Sequence, residues 1–259
     1  MKRILVTGAN GQLGKSIQEI SRNYPNINFD FKSSKELDIT NLIDLKILFH
    51  TNTYDYCINC AAYTNVKQAE KTPEIAYKVN TEGVKNLAES CQKNHTILVH
   101  LSTDYVFDGE KEEPYTVNDV PNPINAYGKS KWEGEKYIQK ILKEYFIIRT
   151  SWLYSKKFGK NFYKTILEKA QKGEILKVTN EQIGCPTNTL NLSLFIIEKI
   201  VLNKNSIYGT FHFTDKLPMT WYEFAKLILE ENNMEKSIKI IKSKDISLNL
   251  KRPKNSVIQ

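Results

Sequence analysis

The chain has no apolar run long enough to cross a bilayer as a helix, and Met1-Lys2-Arg3 leads into a strand-like segment without a signal-peptide leader. A cytoplasmic protein is expected. Cysteine is scarce, with four in 259 residues. Cys57 and Cys60 form a CxxC, but its setting, Tyr56-Cys57-Ile58-Asn59-Cys60-Ala61-Ala62, reads as a buried strand, where an odd offset sends the two side chains to opposite faces. Cys91 and Cys185 stand alone, so no second zinc-ligand pair exists and reduced core thiols are expected. The four histidines, His50, His95, His100 and His212, have no metal-ligand spacing and read as structural. No metal site is expected. Internal repeats, flexible linkers and a disorder-type composition are also missing.

Charge is unbalanced but unfocused. Lys plus Arg number 37 against 29 Asp plus Glu, a formal net charge of +8. The densest clusters, Lys156-Lys157-Phe158-Gly159-Lys160 and the lysines of 236–244, lack the interleaved aromatics of a nucleic-acid platform. They read as solvated surface, with neither nucleic acid nor membrane as partner. An apolar content of 41% in a chain of this length can bury a substantial core.

What the chain does have is concentrated in three places. The first is Gly8-Ala9-Asn10-Gly11-Gln12-Leu13-Gly14, directly after the apolar, β-branched run 2–7 and ahead of a helical pattern over 13–21. In a strand, turn and helix of this kind, Gly8 permits the tight turn, Gly11 lets the backbone approach a pyrophosphate, and Gly14 lets the helix pack closely on the sheet. The second is Ser102-Thr103-Asp104-Tyr105 and the third Tyr127-Gly128-Lys129-Ser130-Lys131. A Tyr and a Lys four apart share one helical face, where an ammonium favours the ionised phenol. Since a free tyrosine titrates near ~10, proton transfer at neutral pH calls for such a cationic neighbourhood. Together the three places imply a nicotinamide-dependent reductase.

Hydrophobic periodicity alternates along the first 150 residues: strands at 27–31, 56–60 and 96–102, helices at 42–49, 73–94 and 127–144, and a long strand over 145–154. That rhythm means parallel strands joined by crossover helices. Beyond it come a helix at 161–172, an extended 175–178, a helix at 191–203 and a strand at 209–214. The amphipathic stretch 220–232, with Trp221, Phe224, Ala225, Ile228 and Leu229 at helical spacing, reads as core of a smaller lobe, with 237–243 as its edge strand. The division expected is 1–158 plus about 188–215 for a dinucleotide-binding domain, and about 159–187 plus 216–259 for a substrate lobe.

Nine segments in order resemble the dTDP-4-dehydrorhamnose reductases, within the extended short-chain dehydrogenases/reductases. They are the glycine segment 6–14, Leu37-Asp38-Ile39-Thr40, the segment 59–64, 102–107, Tyr127 with Lys131, 149–154, Asn161-Phe162, 182–187 and Arg252-Pro253. The resemblance covers the whole chain. It implies an α/β fold with a Rossmann-type doubly wound parallel sheet and a smaller interwoven α/β substrate lobe. It also implies NADPH-dependent reduction of the C4 ketone of dTDP-4-dehydro-L-rhamnose, with NADH as a second cofactor. By the same resemblance Tyr127 is the proton donor, Lys131 holds the nicotinamide ribose, and Thr103 donates to the carbonyl oxygen. Gly8, Asn10, Gly11, Gln12, Leu13, Gly14, Asp38, Ile39, Ala61, Ala62 and Tyr63 line the cofactor. Asp104, Tyr105, Trp152, Gln182, Pro186, Thr187 and Arg252 meet the dTDP-sugar.

Cofactor choice is read at Phe31-Lys32-Ser33-Ser34-Lys35. Ser33 stands where NAD-selective relatives carry an acid, and Lys32, Ser34 and Lys35 offer donors to a 2′-phosphate. Two departures from the family bear on assembly. Relatives that bridge a dimer with magnesium carry an acidic residue early in the first helix, whereas this chain has Lys15-Ser16; a monomer or a homodimer is expected, without metal. The sequence stops at Gln259 where relatives continue with a final helix, so Trp221 and Phe224 are expected to be only partly covered. Fold alone leaves open a regulatory, non-catalytic subunit, and a different 4-ketosugar reductase also fits; the intact Thr103, Tyr127 and Lys131 argue against the first.

Overall fold

The computed structural model describes residues 1–203, 205, 207–244 and 250–259; the parts of the expected lobes at 204, 206 and 245–249 lie outside the described residues. Six strands form one parallel sheet: β1 (Lys2–Thr7), β2 (Ile27–Lys32), β3 (Tyr56–Asn59), β4 (Ile97–Thr103), β5 (Tyr145–Thr150) and, numbered by its place in the chain, β10 (Gly209–His212). Their order is β10-β5-β4-β3-β1-β2. Strand order reverses at β1, with β2 on one side and β3 on the other, and a crevice therefore opens at the carboxyl ends of the strands there.

Alternation along each strand builds two cores. Ile4 and Val6, Tyr56 and Ile58, Val99 and Leu101, and Phe146 and Ile148 point to one face. There they pack on α1 (Gln12–Ser21) and on α8 (Thr189–Phe195) with its π-helical continuation Ile196–Val201. Leu5, Cys57, Leu98 and Ile147 point to the other, onto α2 (Leu42–Thr51), α5 (Val84–Lys93) and α6 (Ala126–Ile141). Cys57 belongs to the second core and Cys60 packs against the first, so the CxxC is split by the sheet as its spacing predicts. All four thiols are free.

The helix expected at 73–94 is interrupted. It begins as α4 (Pro73–Tyr77), passes through a π-helical turn at Lys78–Gly83, and continues as α5; a further short helix, α3 (Val66–Lys71), precedes it. The widened turn is explained by what it touches. Asn80 bonds both backbone groups of Tyr63 and the Ser130 hydroxyl, and Thr81 Oγ1 donates to the Ser130 carbonyl. The long strand expected at 145–154 is also broken. Trp152 adopts φ +47°, and β6 (Leu153–Tyr154) leaves the main sheet to pair with β9 (Thr187–Asn188).

A third core belongs to the smaller lobe. Tyr154, Tyr163, Ile166, Leu176, Val178, Phe224, Ile228 and Leu229 pack between α7 (Phe162–Gln171) and α9 (Trp221–Glu231). β7 (Leu176–Thr179) pairs with β12 (Ile240–Ser243), and β8 (Ile183–Gly184) with β11 (Met219–Thr220). Phe224 is 1% exposed, contrary to the expected partial exposure, because Tyr154 and Phe162 enclose its ring. Trp221 is half-buried. The last residues touch both parts of the fold: Ile258 bridges to Tyr115, and Asn255 to Ile183 of β8.

Among the described residues one ion pair is wholly buried. Glu135 on α6 accepts from Arg149 on β5, Nη2 to Oε2 at 2.7 Å and Nε to Oε1 at 3.1 Å, and it also accepts from the Ser102 hydroxyl. Glu135→Gln is expected to leave the guanidinium uncompensated and to destabilise the fold by about 3 kcal/mol, readable as a lower urea midpoint with unchanged m-value. A midpoint within error of wild type would show that Arg149 finds compensation elsewhere.

Candidate active site

The glycine segment forms the turn its spacing predicts. Gly8 has φ +63°, and a Cβ there would lie 2.5 Å from the Ala61 nitrogen; one on Gly14 would lie 2.7 Å from the Gly8 carbonyl oxygen. Strand β1, the start of α1 and the end of β3 therefore approach more closely than any side chain permits. Gly11 caps α1 with no side-chain acceptor, and the first turn of α1 holds no acidic residue. Its amide groups and the positive end of the helix dipole are thus left for an anion. This fits a dinucleotide pyrophosphate.

A cavity of about 520 Å³ extends from this turn across the carboxyl ends of the strands. Asn10, Gly11, Gln12, Leu13 and Ala62 wall one end, while Thr103, Asp104, Tyr105, Tyr127, Lys131 and Trp152 wall the other. Motifs far apart in the chain thus meet in one space. Gln12 also ties the lobes together, donating to the Leu153 carbonyl at 3.1 Å and accepting from Asn161 at 3.2 Å.

Other expected residues lie outside this cavity. Ala61 and Tyr63 flank its wall, held by Asn59 and Asn80. Ile39 is buried in the second core against Gly83, and Asp38 turns its carboxylate onto the Thr40 amide. Lys32 pairs with Asp30 at 3.1 Å. Ser33 is buried and gives both its amide and its hydroxyl to Glu36, at 2.8 and 2.6 Å, leaving Ser34 and Lys35 exposed. A carboxylate therefore stands next to Ser33 although the aligned position lacks one. Pro186 and Thr187 do not line this cavity. Both are buried, Thr187 within β9 and bonded to the Cys185 carbonyl, where they brace the strand paired with β6. Gln182 is likewise buried, accepting from Trp221 Nε1 at 3.0 Å. Arg252 lines a second groove, of about 570 Å³, with Phe162, Val178 and Trp221; its Nε is buried without a hydrogen-bond partner among the described residues.

Some contributors escape sequence reasoning. Trp221, expected in the core, stacks face to face on Trp152 with ring centroids 3.4 Å apart and lines both cavities. Lys160, from a cluster read as solvated, stands exposed at the rim of the first. The glycine at 159, φ +66°, brings that loop down onto Gln12, a signal that was available in the sequence.

Burial governs the electrostatics. Tyr127 is pushed up to about 12 by its enclosure, helped by the nearby Asp104 and opposed by a hydrogen bond with Thr103. Lys131 is not among the groups that shift it. Lys131 donates to the Leu101 carbonyl at 2.6 Å and is itself pushed down to about 8 by burial against the pull of Glu135. Asp104 accepts from Thr103 Oγ1 and Ser151 Oγ, each at 3.0 Å. Burial still raises it to about 6. Enclosed at neutral pH are a protonated phenol, a hydroxyl beside it, and an amine easily relieved of its charge: groups suited to delivering one proton to an oxygen that is becoming negative.

A doubly wound parallel sheet with a glycine turn at its switch point and a Thr-Tyr-Lys set across the crevice defines the short-chain dehydrogenase/reductase class. Comparison narrows the class: residues 1–259 match the family model described as the RmlD substrate binding domain. A dTDP-4-dehydrorhamnose reductase of Aggregatibacter actinomycetemcomitans is 38% identical, over 100% of this chain and 90% of that protein. The spore coat polysaccharide biosynthesis protein SpsK of Bacillus subtilis is 35% identical, over 100% and 89%. Among solved structures, the dTDP-4-dehydrorhamnose reductase of Bacillus anthracis, in complex with NADP, superposes with a TM-score of 0.93 at 39% identity, covering 100% of this chain and 90% of that one. The chain belongs to the dTDP-4-dehydrorhamnose reductase family.

The raised Asp104 carboxyl has a consequence for stability. In the unfolded chain it titrates near ~4, so between there and about 6 the folded state holds more protons than the unfolded one. Stability from this group therefore falls as pH rises through that window and stays lost above it. Urea midpoints measured from about pH 4 to 7.5 should decline less steeply for Asp104→Asn than for wild type. Equal slopes would assign the decline to other groups.

Proposed function

We propose that this chain reduces the C4 ketone of dTDP-4-dehydro-L-rhamnose to dTDP-L-rhamnose, using NADPH at least as well as NADH. The observation that carries this reading is the convergence of Thr103, Tyr127 and Lys131 in one cavity with the glycine turn. The nicotinamide, when bound, supplies the hydride to the ketone carbon. The first turn of α1 and the backbone at Gly8 and Gly11 would hold the pyrophosphate, and Lys131 the adjoining ribose. Tyr127, kept protonated by its enclosure, gives its proton to the ketone oxygen. Thr103 turns its hydroxyl from Asp104 to the same oxygen as charge develops there, where a donor does most for the rate.

The stacked Trp152 and Trp221 are the wall for the deoxysugar. Arg252, with an unpartnered buried Nε in the adjoining groove, is the donor for the dTDP portion, since a guanidinium matches phosphate oxygens in pairs. Preference for NADPH is supported by Ser34 and Lys35, exposed beyond β2, and by the NADP complex of the Bacillus anthracis relative. The protein works in the cytoplasm as a monomer or homodimer.

Incubation with NADPH and dTDP-4-dehydro-L-rhamnose should give dTDP-L-rhamnose by NMR; no turnover would favour a regulatory subunit, and another stereoisomer a different 4-ketosugar reductase. Tyr127→Phe should lower turnover roughly 10²–10⁴-fold with cofactor affinity kept, and near wild-type turnover would remove Tyr127 from the mechanism. Lys131→Ala should damage both quantities.

Glu36 stands beside Ser33, so its carboxylate opposes a 2′-phosphate. Glu36→Gln should accordingly raise the NADPH to NADH ratio of kcat/KM by a few-fold, and the gain should shrink in high salt. An unchanged ratio would put Glu36 out of range of the ribose.

A further inference from the structure

Beneath Lys131 lies a chain of hydrogen bonds whose polarity is fixed from one end. The Ala61 backbone N–H donates to Asn59 Oδ1 at 3.1 Å, and the Thr7 hydroxyl donates to the same oxygen at 2.7 Å. A backbone N–H can only donate, so the Asn59 carbonyl must face it and the Asn59 amide must face the other way. That amide meets His100 Nδ1 at 3.0 Å. The ring nitrogen there must accept, which leaves the proton of the neutral ring on Nε2. His100 is fully buried, and burial together with Lys131 holds it well below its usual range, so a second ring proton is not available. Nε2 lies 3.2 Å from Lys131 Nζ. An N–H that faces an ammonium is a contact between two donors, whereas an N–H that faces a neutral amine is a hydrogen bond. The Lys131 amine can satisfy both neighbours at once, accepting from His100 and donating to Leu101.

We propose that His100 is a positioning residue for the reduction: locked with its proton on Nε2, it stabilises the neutral amine of Lys131 and so makes Lys131 a group that exchanges protons rather than a fixed cation. The inference rests on the reading of Lys131 as part of the reductase site. In each turnover the Tyr127 O–H bond breaks as its proton passes to the ketone oxygen. The phenolate is then reprotonated at the expense of an N–H of the Lys131 ammonium; the resulting amine lone pair accepts the His100 N–H, and a solvent proton restores the ammonium. His100 itself gains and loses nothing.

The titratable groups about Lys131 are Tyr127 and Glu135 on its own helix, His100 on β4, Asp104 and Tyr105 just after it, and Cys60 after β3. Glu135 is engaged by Arg149 of β5, and the π-helical turn faces α6 with Asn80 and Thr81, which do not titrate. Of these, His100 Nε2 lies within hydrogen-bond distance of Lys131 Nζ, at 3.2 Å.

The direct test is nitrogen-detected NMR of the imidazoles in the wild-type protein. His100 is expected with Nε2 protonated and Nδ1 bare; the opposite tautomer overturns the proposal. The second test is His100→Leu, which removes the donor and keeps the bulk. Titration of the Lys131 side chain by NMR should move up by about one unit, roughly the size of one hydrogen bond expressed as pKa. The alkaline limb of kcat/KM should move with it. A folded variant with an unshifted Lys131 titration also overturns the proposal, because a merely structural role would lower the melting temperature without moving that titration. Neither NMR measurement needs turnover, so both remain decisive even if the chain proves not to reduce this sugar.

Discussion

The site depends on how closely α6 is pressed into the rest of the molecule. A Cβ at Gly128 would lie 2.1 Å from the Tyr105 carbonyl oxygen, and one at Gly134 would lie 2.3 Å from that of Asn80. Both approaches are backbone against side-chain-free helix, and no rotamer change could relieve a larger residue at either. Tyr127 and Lys131 stand next to and between these two glycines, so their Cα atoms are fixed relative to the end of β4 and to the π-helical turn. The turn gives up regular α-helical bonding where Asn80 binds Tyr63 and Ser130. Such widened turns recur at functional positions because they redirect polar groups that a regular helix would consume.

A second constraint links the lobes. Trp152 sits at φ +47°, a conformation that costs a bulky residue energy and persists only when its surroundings hold it. Here they do: the ring lies on Trp221 from one side, and Gly184 approaches so closely that a Cβ would be 2.5 Å from the indole. Pro186 and Thr187, which the family resemblance offers as ligand contacts, are buried beside this bend, Thr187 within the strand paired with β6.

The fold was legible because burial on both faces of a parallel sheet leaves a strong periodic trace. Ile4, Leu5 and Val6 alternate between two cores as their spacing requires. The glycine turn and the Tyr127 and Lys131 pair were legible for a similar reason, since each is a local geometry. What was not legible depended on contacts distant in the chain. The break at Trp152 is imposed by β9 and α9, and the continuous helix expected at 73–94 widens because α6 reaches it. Trp221 has helical spacing with true core residues, and nothing in its own segment distinguishes the one ring left facing the cavity. His100 looked structural because a lone buried histidine usually is; only the direction of the Ala61 amide, seen in three dimensions, gives it a defined proton.

Burial moves four ionisable groups in and beneath the site toward their uncharged forms. Tyr127 and Asp104 are raised, Lys131 and His100 lowered, and desolvation is the leading cause in all four. A pocket of this kind suits the addition of hydride and proton to a neutral carbonyl. As the carbonyl oxygen becomes negative, the few oriented donors act on it in a low-dielectric setting. The fully buried charge pair nearby, Glu135 with Arg149, is closed on itself and on Ser102. It supports α6 against β5, and Glu135 also pulls on the Lys131 ammonium against the effect of burial.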